Sequence, residues 1–199
     1  MAYPVSVAVD TRLEHRNRLT TAFRPILAIP HMILVGPGGW IHRLDSAGLL
    51  GAAAYVLAIV SWFTILVSGD QVKGIRDFQL YYLRWRTRAT AYMALFVDVY
   101  PPFGDAPYPA SIDVGEPAGP RDRASIAVRL LLAIPHFVLL FFLVCGWVVT
   151  SVIAWFVILF TGTYPASLYP FGVSVMRWLL RVEAYMLLLV DEYPPFALD

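Results

Sequence analysis

One cysteine is all the sequence offers, Cys145 inside an apolar run, which excludes an internal disulfide and any cysteine-based metal cluster. Charge is also scarce. Only 15% of the residues are Asp, Glu, Lys or Arg, where a soluble domain carries about 25%. With 59% hydrophobic residues and a mean hydropathy of +0.65, water is not the only solvent this composition suits. A net charge of +1 gives no bulk attraction to nucleic acid, so no nucleic-acid partner is expected. Catalytic patterns are missing too: there is no Gly-rich phosphate loop, no HExxH, no nucleophile elbow and no cluster of acids with histidines. Gly36-Pro-Gly-Gly39 lacks the Lys and Ser or Thr of a nucleotide cradle and reads as a turn. The first 21 or so residues are polar and arginine-bearing without an apolar core, so no cleavable signal peptide is expected.

What is present is apolar length. Residues 47–67 hold no acidic or basic side chain over about 21 residues, enough to cross a hydrocarbon core of about 30 Å. Residues 130–160 are longer, about 31 residues with His136 as the one basic side chain. The expected class is an all-α integral membrane protein.

Internal repetition organises the chain. Arg24-Pro-Ile-Leu-Ala-Ile-Pro-His31 returns as Arg129-Leu-Leu-Leu-Ala-Ile-Pro-His136, and Trp62-Phe-x-Ile-Leu-x-x-Gly69 as Trp155-Phe-x-Ile-Leu-x-x-Gly162. From Trp62 onward the register holds without a gap, through Arg84-Trp85 on Arg177-Trp178 and Ala91-Tyr92-Met93 on Ala184-Tyr185-Met186 to Tyr100-Pro-Pro-Phe103 on Tyr193-Pro-Pro-Phe196. The copies differ by one insertion of about 12 residues near 36–47, and insertions settle in turns. We therefore divide the chain into a first repeat, 13–103, an exposed Pro- and Gly-rich linker, 104–123, and a second repeat, 124–196.

Within each repeat the expected unit is a helical hairpin followed by an interfacial amphipathic helix. The hairpin arms are 19–35 and 47–67 in the first copy and 124–144 and 146–160 in the second, where the turn falls at Cys145-Gly146. Arginines and a lysine flank both hairpins, so the positive-inside rule places both termini and the linker in the cytoplasm and 36–47 outside. A rival reading, a surface helix leading into one long tilted span of about 31 residues, stays open. The interfacial segments are 78–97 and 171–190, ended by paired prolines.

Arg84, Arg88, Arg177 and Arg181 recur four residues apart beside Trp85 and Trp178. Guanidinium groups pair bidentately with phosphate and tryptophan favours the interface, so these six are candidates for contact with lipid head groups or a partner protein. His31 and His136 follow prolines at equivalent places, and an intramembrane histidine is a candidate polar or ligand site. The structural alternative is a kink in which the imidazole bonds a carbonyl freed by the proline; haem or a metal between the two histidines is the less favoured one, and no cofactor or metal is expected. Asp98 and Asp191 read as helix-end and turn residues.

The residues LAIPH, then WFxILxTG, then RWxxRVxAYxxLLxDxYPPF resemble an uncharacterised bacterial membrane family, domain of unknown function 4389, in two tandem copies. The first copy departs from the pattern at Ser68, at Thr90 where the second has Glu183, and at the insertion. The resemblance implies a multi-pass protein of the bacterial plasma membrane and supplies no activity, substrate or cofactor. Together with the missing catalytic groups it leads to the expectation of a non-enzymatic module: an accessory or scaffold subunit of a larger membrane complex, partnered by a membrane protein or by further copies of itself, or a lipid-organising protein. The alternative is a small transporter or channel with its pathway between the repeats. A lipid enzyme would have only Asp98, Asp191, Tyr100 and Tyr193 to work with.

Overall fold

Asn17 and Asp122, equivalent in the two copies, each begin a helix in the same way. The Asn17 side chain accepts the Thr20 N–H and the Asp122 side chain accepts those of Ala124 and Ser125, meeting donors that the first helical turn leaves free. The computed structural model describes residues 3–10, 12–36, 47–117 and 119–198. In chain order these form β1 (Val5–Val9), α1 (Arg18–Leu27), α2 (Ile29–Val35), α3 (Gly48–Ser68), α4 (Lys73–Met93), β2 (Ala110–Val114), α5 (Arg123–Ala127), α6 (Arg129–Thr161) and α7 (Tyr169–Met186). The protein is mostly helical, and α3 and α6 are long and apolar enough to cross a membrane.

The hairpin expected in each repeat is not formed. α6 runs unbroken through Cys145 and Gly146. A glycine inside a helix costs only about 1 kcal/mol, and Gly146 packs beside the Phe171 ring, 3.4 Å from where a Cβ would stand. The first repeat builds the same rod in two pieces. By the repeat register α2 corresponds to residues 134–140 and α3 to 141–161, so together they are the counterpart of α6, with the insertion falling between them in sequence. Gly48, where the helix resumes, lies against the end of α2: a Cβ there would stand 2.7 Å from the Leu34 carbonyl oxygen, and its φ is +70°. Glycine alone meets both conditions without strain. The predicted external turn at 36–47 lies, apart from its two ends, outside the described residues.

Each rod is lined by its own later helix. α4 runs antiparallel along α3, α2 and α1 in succession, with Gln79 against Ala54, Tyr82 against Gly51, Arg86 against Val35 and Tyr92 against Arg24; α7 packs on α6 in the same manner. The predicted interfacial segments are therefore the middle of the protein, with Leu83, Ala91, Met176, Leu180 and Ala184 wholly buried.

The predicted linker is also structured. Tyr3-Pro-x-Ser-Val-x-Val9 recurs as Tyr108-Pro-x-Ser-Ile-x-Val114, and the two form β1 and β2, an antiparallel pair on the far side of α4 and α7. Val7 pairs with Ile112, its own counterpart, so a pseudo-two-fold axis passes through that pair. Reciprocal contacts obey it. The Trp62 indole N–H donates to the Ile126 carbonyl at 2.9 Å and that of Trp155 to Thr21 at 2.8 Å; Tyr3 donates to the Glu192 carbonyl and Tyr108 to that of Val99. Arg123 lies at Gly69, the end of α3, and Arg18 at Gly162, the end of α6. The two rods are thus antiparallel, and each copy's first helix closes on the other copy's long one.

Candidate functional site

The six predicted head-group residues are largely turned to the protein's own use. Trp85 and Trp178 are buried, their indole N–H groups donating at 3.0 Å to Nδ1 of His31 and His136. Arg88 is buried and donates to the carbonyls of Gly104 and Ala106 while pairing with Asp105 at 2.9 Å. Arg177 donates to the Val7 carbonyl and Arg181 is half-buried. Arg84 is the exposed member, 3.7 Å from Asp105. The two tryptophans pack inward, each indole N–H being a polar handle that a histidine satisfies.

His31 and His136 do not meet each other. Each is enclosed in its own aromatic cage: Phe103 stacks on His31 at 4.6 Å with Tyr100 beside it, and Phe196 stacks on His136 at 4.1 Å with Tyr193 beside it. The partner is thus a tryptophan and not a carbonyl freed by the proline. An imidazole whose Nδ1 accepts a hydrogen bond carries its proton on Nε2 when neutral.

Sequence reasoning passed over a second repeated device. Arg24 donates to the carbonyls of Tyr92 and Val97, pairs with Asp98 at 2.7 Å and lies over the Tyr92 ring. Arg129 does the same with Tyr185, Val190, Asp191 and the Tyr185 ring. A further arginine joins each, Arg16 donating to the Leu95 and Phe96 carbonyls and pairing with Asp98, and Arg121 donating to the Leu188 carbonyl and pairing with Asp191. Leu95 and Leu188 have φ of +65° and +62°, a conformation that costs a leucine about 1 to 3 kcal/mol. The arginines hold these turns shut. Of the expected helix-end and turn roles, Asp98 and Asp191 take the second, lying five residues beyond the ends of α4 and α7, and the recurrence of Arg16 as Arg121 was the available signal.

Between the copies the symmetry breaks. Glu183 is wholly buried and pairs with Arg86 at 2.7 Å, while Tyr82 and Tyr55 donate to its other oxygen. Burial opposes the Arg86 charge, but the adjacent carboxylate outweighs burial and raises the guanidinium pKa; burial first, then the same carboxylate, raises that of Tyr82. The equivalents of Glu183, Arg86, Tyr82 and Tyr55 are Thr90, Leu179, Val175 and Val148. On that apolar side a cavity of about 500 Å³ opens between α1, α2, the end of α4 and α6. Met32, Thr90, Ala94, Trp147 and Val148 line it, with half-exposed Val152 at its edge. Thr90 Oγ1 and Trp147 Nε1 are buried and lack any hydrogen-bond partner. At the equivalent places across the axis stand bulkier side chains, Tyr55 for Val148, Leu187 for Ala94 and Phe137 for Met32. Among the described residues no group of three or more His, Cys, Asp or Glu is placed to hold a metal ion.

Residues 46–104 and 123–197 each match the family described as "Domain of unknown function (DUF4389)". The chain belongs to this family. The second match includes α5 and the whole of α6, whereas the first begins just before α3, where the insertion ends. No curated protein and no solved structure matches the chain.

Proposed function

We propose that the protein is a non-enzymatic membrane module that holds one acyl lipid at the seam between its two repeats. The observation that carries this is the cavity, which is apolar and of the volume of small-molecule sites of about 300 to 1,000 Å³. A hydrocarbon chain matches the apolar walls. Lipid recognition thereby moves from the arginines, of which Arg88 and Arg177 are bonded within the protein, to the seam. The large exposed side chains of α3 and α6, Phe63, Phe142 and Phe160 among them, suit contact with lipid or with a membrane-protein partner, so an accessory subunit is compatible with this reading. A transport pathway is less well supported, because the buried charges at the seam, Arg86 and Glu183, close on each other.

Native mass spectrometry of the protein released from membranes in mild detergent tests it. One acyl-bearing molecule per chain is expected on the wild type. Ala94→Leu with Val148→Tyr, which places the second seam's residues in the first, should remove it without lowering the melting temperature. Wild-type protein that carries no acyl-bearing molecule, or a filled variant that keeps it, rules the site out.

A further inference from the structure

The two long helices look built to cross a membrane, yet the symmetry of the molecule gives them another orientation. We infer that α2–α3 and α6 lie in the plane of the membrane, half-immersed in the acyl layer of one leaflet, with β1, β2, α4 and α7 facing water. The inference rests on the protein being membrane-bound and is independent of the lipid at the seam.

Three observations carry it. The pseudo-two-fold axis passes through the Val7–Ile112 pair and relates two antiparallel rods, so the strand pair stands opposite their mid-length. Were α6 to run along the membrane normal, this pair, with no further strand on either edge among the described residues and with Ser6, Ser111 and Asp113 exposed, would sit at the depth of the bilayer centre. Open strand edges do not occur against lipid, where each unsatisfied backbone group is expensive. Exposed Lys73, Asp77 and Arg84 on α4, which runs beside α3 and α2, would be drawn to the same depths.

Charge gives the second observation. Exposed Arg18 stands at one end of the rods, and its counterpart, exposed Arg123, at the other, with exposed Lys73 nearby. A spanning rod needs its basic residues on the cytoplasmic side, and a two-fold that equates the ends cannot supply the asymmetry. Lying flat puts all of them at one depth, beside the head groups of one leaflet.

Length is the third. The 33 residues of α6 extend about 50 Å, well beyond a hydrocarbon core of about 30 Å. Its apolar composition all round, unusual for a helix lying in the interface, follows from the layering. One stripe, Ala133, His136, Leu140, Val144, Trp147, Ala154 and Ile158, is buried in the protein, and an opposite one, including Leu131, Val138, Phe142, Val149 and Phe160, is exposed.

Single cysteines in a Cys145→Ala background test the orientation with a membrane-impermeant maleimide on sealed vesicles. Ala124→Cys and Ser167→Cys, at the two ends of α6, and Asp113→Cys on the sheet should all react from the same side, and Phe142→Cys should be protected. Reaction of Ala124→Cys and Ser167→Cys from opposite sides would show a span and overturn the inference. Polarised infrared spectra of the wild type in aligned bilayers, which need no variant, should place the helix axes parallel to the membrane; axes along the normal would overturn it equally. Protein recovered wholly in the soluble fraction would remove the membrane premise itself, an outcome distinct from either.

Discussion

Asp98 lies 2.7 Å from the guanidinium of Arg24, and Asp191 lies 3.0 Å from that of Arg129, in two copies of one arrangement at opposite ends of the molecule. Each aspartate also receives a second arginine, so each closes the turn that follows its copy's central helix. Removing the carboxylate leaves two buried guanidinium groups short of a partner. Asp98→Asn and Asp191→Asn should each lower stability by about 2 kcal/mol, and because the sites share no partner the losses should add to within about 0.5 kcal/mol. Denaturant melts of both single variants and the double variant measure this; a double variant no worse than either single would mean that the two turns open as one.

The histidine cages yield a prediction about chemistry as well as stability. Trp178→Phe removes the donor to His136 Nδ1 and should cost about 1 kcal/mol. Adding His136→Phe should recover part of that, since removing both partners strands no polar atom at Nδ1. Haem or zinc added to the wild type should leave its absorption spectrum and melting temperature unchanged, because Nε2 carries the proton. A Soret band shift abolished by His31→Ala and His136→Ala would refute this account of the tautomer.

Glu183 and Arg86 interrupt the symmetry, and the second repeat itself indicates how to remove them. Glu183→Ala leaves the Arg86 charge buried beside Tyr82 and Tyr55 and should cost about 3 to 5 kcal/mol. Glu183→Thr with Arg86→Leu, which installs the residues found across the axis at 90 and 179, should lie within about 1.5 kcal/mol of the wild type, as exchanges of a buried ion pair for apolar packing often do. Thermal melts in one detergent decide between a structural pair and one under functional constraint. If the double variant is as unstable as the single, the pair is doing more than neutralising itself.

The duplication was legible because both copies kept the residues that hold the unit: Arg24 and Arg129, His31 and His136, Trp85 and Trp178. Their partners were not. The arginines bond main-chain carbonyls of turns at Leu95 and Leu188, and nothing in a leucine announces a positive φ. A charged, tryptophan-bearing helix face resembles a membrane anchor until the layer covering it is known, which is why α4 and α7 were expected at the surface. The strands were present in the sequence as a second Tyr-Pro-x-Ser repeat, but the prolines and glycines around 104–123 outweighed it. The hairpins failed for a related reason, since Gly146 and the insertion are local turn signals that the packing of α6 on α7, and of α3 on α4, overrides.

The insertion permits a direct test of that override. If α2 and α3 are one helix interrupted, deleting residues 36–47 joins Val35 to Gly48 at the place where Leu140 meets Phe141 in α6. Gly48 then no longer has to adopt a φ of +70°, because the helix passes straight through it. Gly48→Ala should therefore have opposite effects in two backgrounds. In the full chain it should destabilise by more than about 1 kcal/mol, because its Cβ would press on the Leu34 carbonyl and alanine is strained at that φ. In the deleted chain it should stabilise by about 1 kcal/mol, the ordinary gain of alanine over glycine inside a helix. Circular dichroism should show the deleted chain at least as helical as the parent, and thermal melts of the four proteins should show the change of sign. A deleted chain that fails to fold, or an alanine that destabilises in both backgrounds, would mean that α3 begins a separate helix and that the insertion is part of the unit's architecture.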